Sequence, residues 1–196
     1  MKASSDKLVM KEFMSIVKSR SYTYRYLKNL GNKLINDGVD INTQASDGST
    51  LLHLAVKLHD LRLVKLFLDF GVNPNIASET RNAPIHLAIL NDRLDIVKLL
   101  VQRGADLELP TELEQTPLHL AVNTCNLEII MYLVEKGADI NIVDENNSSV
   151  LDYAIDERNP NIIKFFLDLG VDEDHRLVMN DIISKSNRGI KIWKKD

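Results

Sequence analysis

The segment from Gln115 to Cys125, QTPLHLAVNTC, places a histidine close to the only cysteine of the chain. His119 and Cys125 are residue types that serve together as base and nucleophile, and both bind zinc. Their spacing therefore raises two kinds of chemistry, thiol catalysis and metal binding. A motif that recurs at a fixed period belongs to the fold and not to a site, so the first question is whether the segment is unique.

The segment is not unique, because related stretches recur every 33 residues. TLLHLAV, APIHLAI, TPLHLAV and SVLDYAI begin at Thr50, Ala83, Thr116 and Ser149. A glycine repeats with the same period, at Gly38, Gly71, Gly104, Gly137 and Gly170. Self-similarity of this length is typical of stacked repeat proteins.

Each unit predicts two helices and a projecting loop. Thr116 and Pro117 suit the start of a short helix, since proline lacks the N–H that is unpaired there. The stretch from Leu127 to Lys136 carries a broad apolar stripe and predicts a second helix. Gly137 follows it, where helices often end in a left-handed residue. Neither helix can cover its own apolar face, so neighbouring units must stack.

These stretches closely resemble the ankyrin repeat, through TPLHLA at 116–121 and LEIIMYLVEKGADIN at 127–141. The resemblance covers 38–175. It implies an all-α solenoid of helix–turn–helix units with projecting hairpin loops, which we call fingers. It also implies a concave face, built from the fingers and the first helices, that binds proteins and does no catalysis.

The two ends of the chain depart from the repeat pattern. We predict one continuous domain with a divergent helical N-terminal cap at 1–37, four repeats at 38–170, and a capping helix and tail at 171–196. The cap contains two helical stretches, SDKLVMKEFMSIVKSR and YRYLKNLGNKLIND. Trp193, in the tail, either packs on the last repeat or contacts a partner.

Charge and composition exclude several functional classes. The net charge of −4 combines +5 over 1–37, −12 over 38–187 and +3 over 188–196. The acidic middle repels phosphates, so we expect no nucleic acid and no membrane as partner. No apolar run could span a bilayer, and the N-terminus is not a conventional signal peptide, so we expect a cytoplasmic protein. We also expect it to be monomeric on its own and to bind no cofactor.

The repeat pattern gives a structural role to the residues that could otherwise act in catalysis or bind a metal. His53, His86 and His119 share one register and would lie about 10 Å apart, too far to share a zinc ion. We expect each to hydrogen-bond the adjoining loop. Cys125 occupies the turn between helices, where ankyrin repeats usually have glycine; the equivalent residues are His59, Asp92 and Arg158. The left-handed conformation would cost roughly 1 kcal/mol at each.

No catalytic, phosphate-binding or calcium-loop motif occurs in the sequence. The chain is therefore predicted not to be an enzyme. Asn42, Asn75 and Asn141 lie in loops where the resemblance implies hydrogen bonds to the hairpin backbone. The resemblance also implies that such asparagines can be hydroxylated in animal cells.

The repeat register predicts which side chains of the concave face are free to bind a partner. These lie at the finger tips and at the ends of the first helices: Lys57, Leu58, Glu79, Thr80, Asn82, Leu90, Asn91, Glu112, Leu113, Gln115, Asn123, Thr124, Glu145, Asn146, Asp156 and Glu157. Leu58, Leu90 and Leu113 could form an apolar anchor. With acidic residues beside it, this face predicts a protein partner that has an apolar centre and a basic rim.

Two other functions stay open from the sequence. The protein could inhibit or regulate an enzyme by blocking its active or localisation site. Its many Asn, Ile and Lys residues fit an AT-rich genome, and small ankyrin proteins of intracellular bacteria or viruses often act as effectors on host proteins. An enzyme would need a site within 1–37 or 176–196, segments too short for a catalytic domain.

Overall fold

The computed structural model describes residues 2–170, with side chains from Asp6 onward. This part contains ten helices and no strand. They are α1 (Lys2–Ser19), α2 (Tyr24–Asn36), α3 (Leu51–Lys57), α4 (Leu61–Asp69), α5 (Pro84–Leu90), α6 (Leu94–Gln102), α7 (Pro117–Asn123), α8 (Leu127–Glu135), α9 (Val150–Asp156) and α10 (Pro160–Asp168).

The helices pack in pairs, and the pairs stack. Within a repeat, α3 contacts α4, α5 contacts α6, α7 contacts α8 and α9 contacts α10. Between repeats, the first helices α3, α5, α7 and α9 pack side by side, and the second helices α4, α6 and α8 do the same. This arrangement is the predicted all-α solenoid.

A continuous apolar core runs between the two rows of helices. In repeat two, Ala88 and Ile89 of α5 and Ile96, Val97 and Leu100 of α6 are all fully buried. The other repeats bury the equivalent positions, except that Ile155 in repeat four is half-buried, so each layer covers the apolar stripe of the next. Burying one such side chain contributes about 1.5–3 kcal/mol.

Both helices predicted for the N-terminal cap are present, as α1 and α2. Met10, Phe13 and Val17 of α1 are buried, and the Phe13 ring meets the Phe67 ring edge-on at 6.2 Å. The α1 helix packs against α3, so the cap extends the row of first helices by one member. The capping helix and the Trp193 tail predicted for 171–196 lie outside the described residues.

The turns between the paired helices have the predicted left-handed backbone. The φ angles of His59, Asp92, Cys125 and Arg158 lie between 51° and 56°. This conformation costs roughly 1–2 kcal/mol for a residue with a Cβ atom. Four sites of moderate backbone strain therefore follow one edge of the array.

A second left-handed position, which we did not predict from the sequence, occurs at every finger tip. Gly48, Arg81, Glu114 and Asn147 have φ angles between 53° and 72°. In each finger an N–H also donates across the loop, as from Ala45 to the Ser49 carbonyl (2.8 Å). A three-residue hairpin that ends in a left-handed residue has this geometry. The fingers are thus tight, defined turns.

The finger tips are joined in two pairs. The Glu79 N–H donates to the Asp47 carbonyl (3.1 Å), which links fingers one and two. The Glu145 N–H lies 3.4 Å from the Leu113 carbonyl and links fingers three and four. Within residues 2–170, no such bond joins the tips of fingers two and three.

Gly31 in α2 allows the cap to approach repeat one closely. A Cβ atom added at this glycine would lie 2.2 Å from Cε2 of Phe70, far inside van der Waals contact. Phe70 itself packs against Phe67, with 6.3 Å between the ring centroids. The absence of a side chain at this position therefore sets the distance between α2 and the end of α4.

We expect Gly31→Ala to lower the free energy of unfolding by about 1–3 kcal/mol, because the new methyl group must displace the Phe70 ring. In an open helix the same change would add about 1 kcal/mol of stability. Asn32→Ala, at an exposed position of the same helix, is the matched control. Urea unfolding followed by circular dichroism measures both. A Gly31→Ala protein as stable as the control would contradict this packing.

Candidate protein-binding face

Three buried histidines hold the fingers against the first helices. In repeat three, Nδ1 of His119 accepts the Thr116 N–H (3.3 Å), and Nε2 lies 3.2 Å from the Ser148 carbonyl of the next finger. His53 makes the same two contacts, with the Thr50 N–H (3.0 Å) and the Asn82 carbonyl (2.8 Å). The predicted hydrogen bonds to the adjoining loop are therefore confirmed.

His86 follows the same principle with a shifted acceptor. Its Nδ1 accepts the Ala83 N–H (3.0 Å), but its Nε2 contacts the Leu109 carbonyl (2.8 Å). In the 33-residue register, the acceptor equivalent to the Asn82 and Ser148 carbonyls would be the carbonyl of Gln115. Finger three is thus held six residues earlier than fingers two and four, immediately before Pro110.

The partners of these rings determine their protonation. A backbone N–H can only donate and a carbonyl can only accept, so Nδ1 carries no proton and Nε2 carries one. Each ring is therefore neutral. Burial, the largest effect, lowers the pKa of His53, His86 and His119, although each carbonyl acts to raise it.

An asparagine row parallels the histidines at the base of the fingers. Oδ1 of Asn42 accepts the Asn73 N–H (2.7 Å), and Oδ1 of Asn75 accepts the Asp106 N–H (2.8 Å). Nδ2 of Asn75 also donates to the Gly104 carbonyl (2.9 Å). These bonds confirm that Asn42 and Asn75 bind the loop backbone.

Glu108 replaces the asparagine in repeat three, and the replacement is imperfect. Its Oε1 accepts the Asp139 N–H (2.8 Å). Its Oε2 is buried and is the one buried side-chain oxygen or nitrogen without a hydrogen bond among the described residues. Burial raises the pKa of Glu108, and the nearby Asp139 and Asp106 add to the shift while the Asp139 N–H opposes it. The Asn75 amide makes its second bond by donating an N–H to a carbonyl. A carboxylate at the equivalent position has no proton to donate.

Most of the predicted partner-binding residues are exposed. The exposed ones are Lys57, Glu79, Thr80, Leu90, Asn91, Glu112, Leu113, Asn123, Glu145, Asn146, Asp156 and Glu157. Leu90 and Leu113 each expose 49 % of their surface, a large fraction for leucine. Glu112, Glu145 and Asp156 take part in none of the ion pairs found within residues 6–170.

Four of the predicted residues are half-buried and largely engaged within the protein. Leu58 packs against the core, so it adds less to an apolar anchor than Leu90 or Leu113. Nε2 of Gln115 donates to the Tyr153 hydroxyl (2.6 Å). Nδ2 of Asn82 donates to the Thr80 carbonyl (3.1 Å), and the Thr124 hydroxyl donates to the Ala121 carbonyl (3.1 Å).

Tyr153 and Asp144 form a polar cluster that sequence reasoning missed. The Tyr153 hydroxyl donates to Oδ2 of Asp144 (2.7 Å), and its ring meets the His119 ring edge-on at 5.3 Å. Burial acts to raise the pKa of Asp144, but the hydrogen bonds from Tyr153 and from the backbone outweigh it and lower that pKa. The departure of repeat four from its pattern, with tyrosine where the other repeats have leucine, was the available signal.

Neither thiol chemistry nor metal binding finds support on this face. Cys125 is exposed, and its Sγ lies 3.9 Å from Oε2 of Glu157, which is negatively charged, whereas a reactive thiolate is stabilised by a neighbouring cation. Within the described residues, no three His, Cys, Asp or Glu side chains come together as metal ligands do. None of the helices there has the length and apolar character needed to cross a bilayer.

Comparison with known proteins agrees with the architecture. A family model for ankyrin repeats, in three copies, matches residues 23–111 and 104–176. The match begins just before α2 and so includes the second helix of the cap. No curated protein sequence matches the chain.

We expect the protein to lose stability as the pH falls below about 6.5, the ordinary histidine pKa. The folded state keeps His53, His86 and His119 neutral with lowered pKa values, whereas the unfolded chain takes up protons in this range. Each histidine contributes at most about 1.4 kcal/mol per pH unit.

Urea midpoints measured from neutral pH to about pH 5 test this, since ordinary carboxylates titrate near pH 4. A midpoint that stays constant over this range would contradict the proposed ring states.

We also expect Glu108→Gln to raise the free energy of unfolding at neutral pH by about 1 kcal/mol, because an amide supplies the missing donor. The gain should shrink as the pH falls toward about 4.5, where a carboxyl group binds its own proton. Glu112→Gln, at an exposed position, is the control and should change little. A loss of stability in Glu108→Gln at neutral pH would show that this carboxylate is charged and satisfied.

Proposed function

Because this chain belongs to the ankyrin repeat family, we propose that it is a non-enzymatic module whose concave face binds a protein through repeats two to four. Ankyrin repeats are generally protein–protein interaction modules, and the family is typically non-enzymatic. The proposal goes further by naming the binding surface and the chemistry of the partner.

This proposal rests on the exposure of Leu90 and Leu113 to solvent. Leu90 ends α5 in repeat two and Leu113 lies in finger three, so the two leucines belong to adjacent repeats. Folding leaves about half of each side chain in water. Val143, at the base of finger four, exposes a further 40 % of its surface. Exposed apolar groups within a polar rim are typical of binding sites.

The acidic residues near Leu113 indicate which charge the rim of the partner should carry. Glu112 lies next to Leu113, and Glu145 lies in the next finger, which is joined to finger three by the Leu113 carbonyl. Neither carboxylate forms an ion pair within the part of the chain that the structure describes. Lysine or arginine side chains would complement them and speed the encounter. The partner therefore carries an apolar centre with basic residues around it.

We expect Leu90→Asp combined with Leu113→Asp to abolish partner capture while the helical circular dichroism signal stays unchanged. Removing central apolar anchors typically costs more than about 2 kcal/mol of binding free energy. The measurement is affinity capture from a candidate cell lysate, with quantitative mass spectrometry of the wild type and the variant side by side.

Met131→Asp is the matched control, since Met131 exposes 51 % of its surface but lies on the second helix α8. Proteins retained by Met131→Asp and lost with the double variant are the specific partners. Equal capture by the double variant and the wild type would overturn the proposal. If a captured partner is an enzyme, a fall in its activity on adding the wild type, but not the double variant, identifies an inhibitor.

A further inference from the structure

A groove with a basic rim lies where the cap meets the first finger. It has a volume of about 500 Å³ and runs between α1 and residues 44–46 of finger one. Met10 and Met14 of α1 and Ala45 of the finger line it. Since α1 extends the row of first helices, the groove continues the concave face at its N-terminal end.

Three lysines of α1 contribute the charge of this groove. Lys7, Lys11 and Lys18 all line it and are exposed, and no aspartate or glutamate is among the lining residues. None of these lysines takes part in an ion pair between described residues. Unpaired like charges around a concave surface raise the local potential and attract anions.

The surroundings of the groove restrict which anion can enter. Asp6, Asp40 and Glu79 line an adjoining cavity of about 640 Å³, and residues 38–187 carry a net charge of −12. A nucleic acid or an anionic membrane extends over many charges and would meet this acidic body as well as the lysines. A short peptide can place its carboxylates at the lysines and stop there.

We infer that this groove binds an acidic peptide segment of the protein partner, with one apolar side chain of that segment against Met10, Met14 and Ala45. The carboxylates of the segment pair with Lys7, Lys11 and Lys18. The inference rests on the proposed function in one respect, since both place a protein on the concave face.

The groove gives the concave face two ends of opposite charge. The α1 end is basic, whereas Glu112, Glu145 and Asp156 make the repeat-three and repeat-four end acidic. A partner whose acidic segment and basic rim match these ends binds in one direction along the array and is repelled in the reverse one.

The groove can be tested with synthetic peptides and the full chain, without the natural partner. The probe is a short fluorescent peptide of glutamate and leucine, and its match replaces every glutamate by glutamine. Fluorescence anisotropy should show binding of the acidic peptide and at least about tenfold weaker binding of the glutamine peptide. The acidic peptide should bind more weakly as salt is added.

A triple variant that combines Lys7→Glu, Lys11→Glu and Lys18→Glu should bind the acidic peptide at least about tenfold more weakly, because three exposed ion pairs are lost. The matched control is a second triple variant, which combines Lys28→Glu, Lys33→Glu and Lys65→Glu at exposed positions outside the groove. It changes the net charge equally and should bind the acidic peptide as the wild type does. Amide chemical-shift changes in the wild type should fall within residues 7–18 and 44–46. This last measurement does not depend on how the variants fold.

Three results would overturn the inference. The first is equal binding of the acidic and glutamine peptides, and the second is an equal loss in both triple variants. The third is that the wild type binds oligouridylate, phosphatidylserine vesicles or a second copy of itself through the same lysines while the acidic peptide does not bind. Loss of peptide binding leaves the effect of Leu90→Asp and Leu113→Asp on partner capture untouched, so failure of this inference and failure of the proposed function are distinguishable.

Discussion

A neutral imidazole between two backbone groups joins each of the first three repeats to the next. The ring of His53, His86 or His119 accepts an N–H at the start of its own helix and directs its remaining proton at a carbonyl in the following finger. Stacking of apolar helices determines the distance between layers but constrains the fingers little. The histidines add that constraint for fingers two, three and four, whose backbone carbonyls they contact.

The period of the sequence was sufficient to predict the architecture, because helix starts, apolar stripes and terminal glycines all recur in one register. The left-handed inter-helix turns were expected from the resemblance to the ankyrin repeat, which usually has glycine there. Departures from the register were harder to interpret. Arg81 and Glu114 adopt a left-handed backbone that their residue types do not suggest, and only Gly48 and Asn147 in the equivalent positions hinted at it.

The candidate face was less predictable than the fold, since side chains that lie outside the framework can still be used internally. Gln115 is variable in the repeat and was expected to be free, yet its amide binds Tyr153, a residue 38 positions later. Glu108 occupies an asparagine position, and only the packing around it reveals an oxygen without a donor. The groove beside α1 had no register to predict it, because the cap lacks the TPLH-type segment. Long-range contacts of single residues do not appear in a periodic pattern.

The hydrogen bonds between neighbouring finger tips are interrupted once along the concave surface. Among the described residues, one backbone bond joins the tips of fingers one and two and another joins those of fingers three and four, but none joins the tips of fingers two and three. At this interruption, the contact of His86 with the Leu109 carbonyl is a hydrogen bond that joins repeat two to finger three. Leu90 lies on one side of it and Leu113 on the other. A ligand that contacted both leucines would span this interruption and join the two pairs of fingers.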